Sequence, residues 1–136
     1  MIPIIPKSVQ HGARHGRGRF YNDPEKVKYL NQIETESEGY IPDHPHLGPI
    51  RITFDFYLER PAWLNEAGIP ENEPFPQWGY RGADWDNFCK GAQDGLAKCG
   101  FFHNDSQVFS GSATKWFSEE TIGPRIEVKL EFYNLK

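Results

Sequence analysis

Residues 84–99 read DWDNFCKGAQDGLAKC, and this stretch carries the clearest structural pattern in the chain. Its apolar residues recur at intervals of three and four, which places them on one face of an α-helix. They are Trp85, Phe88, Cys89, Ala92, Leu96 and Cys99. Gly100 follows at the position where helices often end in a left-handed residue. The pattern predicts a helix over residues 84–99 that packs this face against a core.

Strand patterns lie on both sides of this helix. Residues 51–59 and 125–132 alternate apolar with polar side chains, which is typical of a half-buried strand. Residues 107–117 are enriched in β-branched and aromatic residues, so we expect another strand there. Asp23-Pro24 resembles the start of a helix, which we expect to end near residue 32 or 34.

With a short first strand expected at residues 2–5, the elements run strand, helix, strand, helix, strand, strand. This order predicts an α+β fold, a mixed β-sheet of about four to five strands with two main helices packed on it. The chain has 136 residues, enough for one hydrophobic core but not for two independent ones. We therefore expect one domain over residues 1–136.

The charge is distributed unevenly along the chain. The net charge of −4 argues against a generic DNA-coating protein, whose affinity would come from neutralising phosphates. The first thirty residues nevertheless hold six basic and two acidic residues, a balance of +4, which leaves −8 for the remaining 106. Residues 7–22 contain Lys7, Arg14, Arg17 and Arg19 among glycines, so we expect an exposed basic loop there.

The expected compartment follows from what the sequence lacks. No apolar run approaches the roughly 20 residues that span a bilayer, and the N-terminal segment is too short for a signal peptide. We expect a cytoplasmic protein that does not enter membranes. Cys89 and Cys99 form no CxxC pair, so reduced thiols without a chemical role are expected.

Two carboxylates, Asp84 and Asp86, lie at the start of the predicted helix. Carboxylate oxygens are ligands that Mg²⁺ prefers, but the same residues also suit a helix start as an N-cap and a partner of the helix dipole. Lys90 follows one turn later and either pairs with Asp86 or contacts a phosphate. Spacing alone does not bring Asp105 near them, since the helix would be about 22 Å long.

Residues 84–108, DWDNFCKGAQDGLAKCGFFHNDSQV, resemble without gaps the signature of the RusA family of Holliday junction resolvases. That signature reads D-x-D-N, then K, then D-x-L, then G and a D-D-x-x-V/I run. The basic GRGRFY segment at residues 16–21 resembles the same family, so the resemblance covers most of the chain. Asn104 departs from it, standing where the family commonly has the first Asp of its pair.

The resemblance implies a homodimer that uses Mg²⁺, or Mn²⁺, to hydrolyse symmetric strands of a four-way DNA junction in recombination and repair. It also implies a bacterial or phage origin. Asp84, Asp86 and Asp105 would be catalytic, metal-binding carboxylates, and Lys90 a catalytic or phosphate-contacting residue. The residues expected to contact the DNA backbone are Lys7, Arg14, Arg17 and Arg19.

Residues 60–83 are rich in proline, glycine and aromatic residues, and we interpret them as a long loop insertion, longer than the connection expected in that family. The aromatic residues either stack on unpaired bases or close the core beneath the loop. They are Trp63, Phe75, Trp78 and Tyr80. Two further alternatives stay open: a non-catalytic DNA-binding protein on the same scaffold, and a nuclease for other branched DNA.

Overall fold

The computed structural model describes Pro6, residues 14–15 and 19–20, residues 24–78 and residues 84–134. The strand expected at residues 2–5 lies outside the described residues, as do Lys7 and Arg17 of the basic loop. In the described ranges, none of the helices is long and apolar enough to cross a bilayer.

The helices and long strands occupy the regions that the sequence patterns predict. In chain order the elements are β1 (Arg14–His15), β2 (Arg19–Phe20), α1 (Pro24–Ser37), β3 (Ile50–Leu58), α2 (Ala62–Glu66), β4 (Phe75–Pro76), α3 (Trp85–Cys99), β5 (Val108–Phe117) and β6 (Arg125–Phe132). The first helix continues past the expected end to Ser37. Gly100 ends α3 with φ 100°, the left-handed conformation expected of it.

The main sheet is mixed and has the strand order β4-β5-β3-β6. β3 pairs in parallel with β5 and antiparallel with β6, while β4 pairs antiparallel with the end of β5. Parallel neighbours need a crossover connection, and α3 lies within the connection between β3 and β5. The prediction of an α+β fold with a mixed sheet and two main helices is confirmed.

The core lies between the sheet and the two long helices. Alternate residues of β3 are buried together with residues of α1 and α3. The rings of Phe56 and Phe88 are 5.5 Å apart, which joins β3 to α3. Gly95 allows α1 to approach α3 closely, because a Cβ there would lie 2.6 Å from Cδ1 of Ile33. The position of α3 is therefore set by contacts with both neighbours.

The expectation of a long loop over residues 60–83 needs correction in its described part, residues 60–78, which contain α2 and β4. The Arg60 side chain organises this segment. Its guanidinium donates to Oδ1 of Asn65 and to four backbone carbonyls, those of Ile69, Pro70, Glu73 and Ser118. A helix of five residues is too short to show a periodic pattern, so α2 could not be predicted from hydrophobic spacing.

The aromatic residues of this segment pack over one end of the sheet. The rings of Trp63 and Trp78 contact Phe117 of β5 at centroid distances of 5.8 and 6.5 Å, and the Phe75 ring lies 6.3 Å from that of Trp78. Trp63 and Trp78 stay 47% and 63% exposed. Tyr80 lies outside the described residues. The described contacts support the interpretation in which these side chains cover the end of the core.

Replacing Arg60 by Lys should lower the free energy of unfolding by about 2 kcal/mol, because an ammonium group cannot reproduce the planar fork of donors. Urea unfolding measures this change. Limited proteolysis should also show faster cleavage within residues 60–78. Arg51→Lys is the matched control, since the Arg51 side chain is partly exposed and lies 3.9 Å from Glu131. Equal unfolding midpoints for the two variants would contradict the role given to Arg60.

Candidate active site

Asp84 and Asp86 lie at the start of α3, where both residues are exposed. The backbone carbonyl of Asp84 accepts the amide N–H groups of Asn87 and Phe88, while its side chain makes no capping hydrogen bond. Oδ1 of Asp86 accepts the N–H of Asn87 at 3.0 Å. The helix therefore begins without using the Asp84 carboxylate as a cap. Both carboxylates lie at the positive end of the helix dipole.

Lys90 is paired with Asp105 rather than with Asp86 in the part of the chain that the structure describes. Its Nζ lies 2.7 Å from Oδ2 of Asp105 and 3.8 Å from Oδ1 of Asp94. The hydrogen bond to Asp105 raises the pKa of Lys90, against a smaller opposing effect of burial. The ammonium group thus stays charged, and Asp105 is held beside Lys90, which lies one helical turn after Asp86 in α3.

The segment after α3 holds Asp105 through a capped turn. Asp105–Gln107 form a short 3-10 helix, and the Asn104 side chain accepts the N–H of Ser106 at 2.9 Å. The amide oxygen of Gln107 in turn accepts the N–H groups of His103 and Asn104. This reciprocal pattern is a capping box, and its N-x-x-Q spacing is a sequence signal that could have predicted the turn. Asn104 is therefore a structural cap in this chain.

The other end of Gln107 fixes the same turn to the body of the domain. Its Nε2 donates to the backbone carbonyls of His46 at 2.7 Å and Gly48 at 2.9 Å. Phe101 and Phe102, just before the turn, are buried in the core. Asp105 is thus carried by a turn that is anchored on both sides, which gives its carboxylate a defined position.

Trp85 was expected on the buried face of α3, but it is 49% exposed. The buried residues of this helix are Phe88, Gly91, Ala92, Gly95 and Leu96. Trp85 lies in the first turn, and its indole Nε1 donates to the carbonyl of Ala113 at 2.8 Å. This bond joins the start of the helix to the edge of β5. The residue between the two carboxylates therefore ties this part of the backbone to the sheet.

A pocket of about 270 Å³ lies between α3 and strands β3 and β5, and we call it the α3–β5 pocket. It is lined by Ile52, Phe54, Trp85, Asp86, Cys89, Lys90, Gln93, Gly111 and Ser112. Burial raises the pKa of the Cys89 thiol to about 11, and that of Cys99 likewise to about 11. Both thiols are therefore protonated at neutral pH, a form that is a poor nucleophile.

The three predicted aspartates do not form a ready metal centre within one chain. In the described ranges, no group of three or more His, Cys, Asp or Glu side chains is placed to hold a metal ion. Asp105 has the Lys90 ammonium as its neighbour instead. Asp84 and Asp86 still fit Mg²⁺, which proteins often bind through one or two carboxylates while substrate phosphates complete the coordination.

The expected DNA contacts are only partly described. Arg14 and Arg19 belong to β1 and β2, which pair antiparallel as a two-stranded ribbon. Lys7 and Arg17 lie outside the described residues. The assignment of these four residues to DNA binding stays a prediction.

The Trp85 contact predicts a measurable protection at the start of α3. Trp85→Phe keeps an aromatic ring but removes the N–H donor, so it should cost about 1 kcal/mol of stability and speed amide exchange at residues 87–88. Hydrogen exchange followed by NMR measures the exchange rates of these backbone amides and, in the natural protein, of the Trp85 indole N–H. Trp78→Phe, at an exposed indole in another region, is the control. Unchanged exchange at the helix start would remove Trp85 from this role.

A family model described as endodeoxyribonuclease RusA matches residues 3–131. No curated protein matched the chain. The matched range includes α3, the capped turn with Asp105 and nearly all of the main sheet. Because the match covers far more than half of the sequence, the chain belongs to the endodeoxyribonuclease RusA family.

Proposed function

We propose that this protein is a metal-dependent endonuclease that cuts four-way DNA junctions as a homodimer. Family membership supports the endonuclease activity. The observation that carries the proposal for this chain is the pairing of Lys90 with Asp105 one turn from Asp86. This pairing brings the Asp105 carboxylate, from the turn after α3, to the Lys90 ammonium near the exposed start of α3, where Asp84 and Asp86 lie.

Asp84 and Asp86 are the residues that would hold the divalent cation, Mg²⁺ or Mn²⁺. When bound, that cation would polarise the scissile phosphate and lower the pKa of the attacking water. Both carboxylates are exposed, so DNA can approach them directly. Trp85 fixes the backbone between them through its bond to Ala113, which limits how far the two can separate.

Lys90 would supply positive charge to the phosphate. A phosphate oxygen entering the site competes with Asp105 for the ammonium group, and the two are alternative anionic partners of similar size. Fixed positive charge at this position stabilises the additional negative charge that builds up as the phosphate is attacked. Asp105, once released, adds a third carboxylate beside Asp84 and Asp86, so the three assigned aspartates act together only when DNA is present.

The dimer and the basic loop complete the proposal. Resolving a four-way junction needs two cuts related by two-fold symmetry, and an isologous dimer presents two identical sites in that relation. The basic loop, with Lys7, Arg14, Arg17 and Arg19, would contact the phosphate backbone and offset the acidic body. We place this activity in DNA recombination and repair in the cytoplasm of bacterial cells, encoded by the bacterium or by a phage.

The non-catalytic alternative on the same scaffold rests on Asn104 and on the acidic body of the chain. The Asn104 side chain accepts the N–H of Ser106, a capping role that an aspartate could also fill. The turn therefore accounts for Asn104, and the cleavage experiment decides between this alternative and a nuclease.

Cleavage of a mobile four-way junction in Mg²⁺ tests the proposal. The protein should cut the junction in preference to a fork or a duplex at one fixed salt concentration, and Asp84→Asn should cut about 100-fold more slowly because a metal ligand is lost. Asp43→Asn, in an exposed loop, is the matched control and should cut normally. Binding without any cutting would favour the non-catalytic alternative. Equal cutting of forks would favour a nuclease for other branches.

A further inference from the structure

We propose that the α3–β5 pocket binds one unpaired nucleobase of the DNA next to the phosphate that is cut. This inference rests on the proposed function and assigns a second role to the same region. The pocket shares Asp86 and Lys90 with the candidate active site, so any strand whose phosphate reaches these residues also passes the pocket opening. At about 270 Å³ it lies just below the usual range for small-molecule sites, roughly 300 Å³ and above.

The walls of the pocket suit the two kinds of surface that a base presents. Its apolar part is formed by Ile52 and Phe54, both buried, and by the half-exposed indole of Trp85. The Nε1 bond to Ala113 holds that indole in place. Stacking of a base on an aromatic ring contributes to binding with any base, because every base has a π-face.

A polar side chain, that of Gln93, lines the same pocket. In the described part of the chain it has no hydrogen-bonding partner, and the residue is partly accessible. A glutamine amide has both donors and an acceptor, and it pairs well with base edges. This amide is therefore available to an incoming base.

Charge distinguishes a base from a second phosphate as the occupant. Asp86 adds a negative charge to the pocket wall, and Lys90, the cation among the lining residues, is assigned under the proposed function to the phosphate that is cut. A second anion inside the pocket would face Asp86 without a further cation among the lining residues. A neutral planar ring meets no such penalty.

Gly111 gives an independent indication that the pocket has to stay open. A glycine inside a strand often marks a place where a ligand approaches the backbone closely. A Cβ at Gly111 would meet the carbonyl of Ile52 at 3.7 Å and Cγ1 of Val108 at 3.9 Å, which are ordinary contacts. Its φ is not in the left-handed region that favours glycine. Neither packing nor backbone conformation requires a glycine here, whereas access to the pocket does.

The test combines Gly111→Val with junctions that lack one base. Valine fills the pocket and suits a strand, so the variant should fold, which its urea unfolding curve checks. Binding is measured with Ca²⁺ in place of Mg²⁺, using junctions in which an abasic nucleotide replaces each position near the branch point in turn. Thr114→Val, on the opposite face of β5, is the matched control. Gln93→Leu is a second variant should Gly111→Val not fold.

For the natural protein and Thr114→Val, one abasic position should weaken binding about tenfold, as expected for the loss of one stacked base. Gly111→Val should bind the intact junction about tenfold more weakly than the natural protein does. Its affinity should not fall further when the abasic nucleotide is placed at the sensitive position. The inference is overturned if no abasic position weakens binding. It is also overturned if the abasic nucleotide weakens binding by Gly111→Val as much as it weakens binding by the natural protein. Failure of the natural protein to bind any junction would instead reject the proposed function, and with it this inference.

Discussion

The contact between the Lys90 ammonium and the Asp105 carboxylate is the interaction on which the arrangement of the site depends. It is 2.7 Å long and connects the middle of α3 to the turn that leads into β5. Without a cation, the carboxylates in this region would repel one another, and Lys90 lies between two of them, Asp94 and Asp105. Under the proposed function, the same ammonium would contact a phosphate of the substrate, and one side chain would then link the stability of the free protein to the binding of DNA.

The Lys90–Asp105 contact can order the site only because the core holds α3 in place. Phe88 packs on Phe56 of β3, and Gly95 brings α1 close enough to fix the opposite side of the helix. Trp85 adds a third attachment at the first turn, where packing against the core has ended. A helix fixed at its start and middle presents Asp84 and Asp86 in a defined direction. The preorganisation required of a catalytic site is in this way a consequence of core packing.

Much of this could be predicted from the sequence because the relevant patterns are periodic or local. The helix over residues 84–99 and the long strands follow from hydrophobic spacing, and the left-handed end at Gly100 follows from residue type. Other features depend on partners that are distant in sequence. The Trp85 indole could not be assigned to Ala113 by spacing, and helical periodicity alone placed Trp85 in the core. The folded segment after Arg60 depends on a guanidinium that meets scattered carbonyls, a pattern with no sequence signal.

The candidate site was likewise predictable only in part from the sequence. The resemblance to the family signature pointed to Asp84, Asp86, Lys90 and Asp105, and spacing alone could not say whether Asp105 came near the others. The structure places it at Lys90, through a turn capped by Asn104 and Gln107. That position brings an aspartate far along the chain into contact with α3, the helix that begins beside Asp84 and Asp86. It also explains why the carboxylates do not form a complete metal centre within one chain.

Paramagnetic broadening by Mn²⁺ tests directly whether Asp84, Asp86 and Asp105 share one metal site when DNA is bound. Aspartate side-chain carboxyls are labelled with ¹³C in the complex with a four-way junction. We expect the signals of these three residues to disappear together, while those of Asp43 and Asp55 persist. If the Asp105 signal kept its full intensity while those of Asp84 and Asp86 broadened, the shared metal site would be wrong.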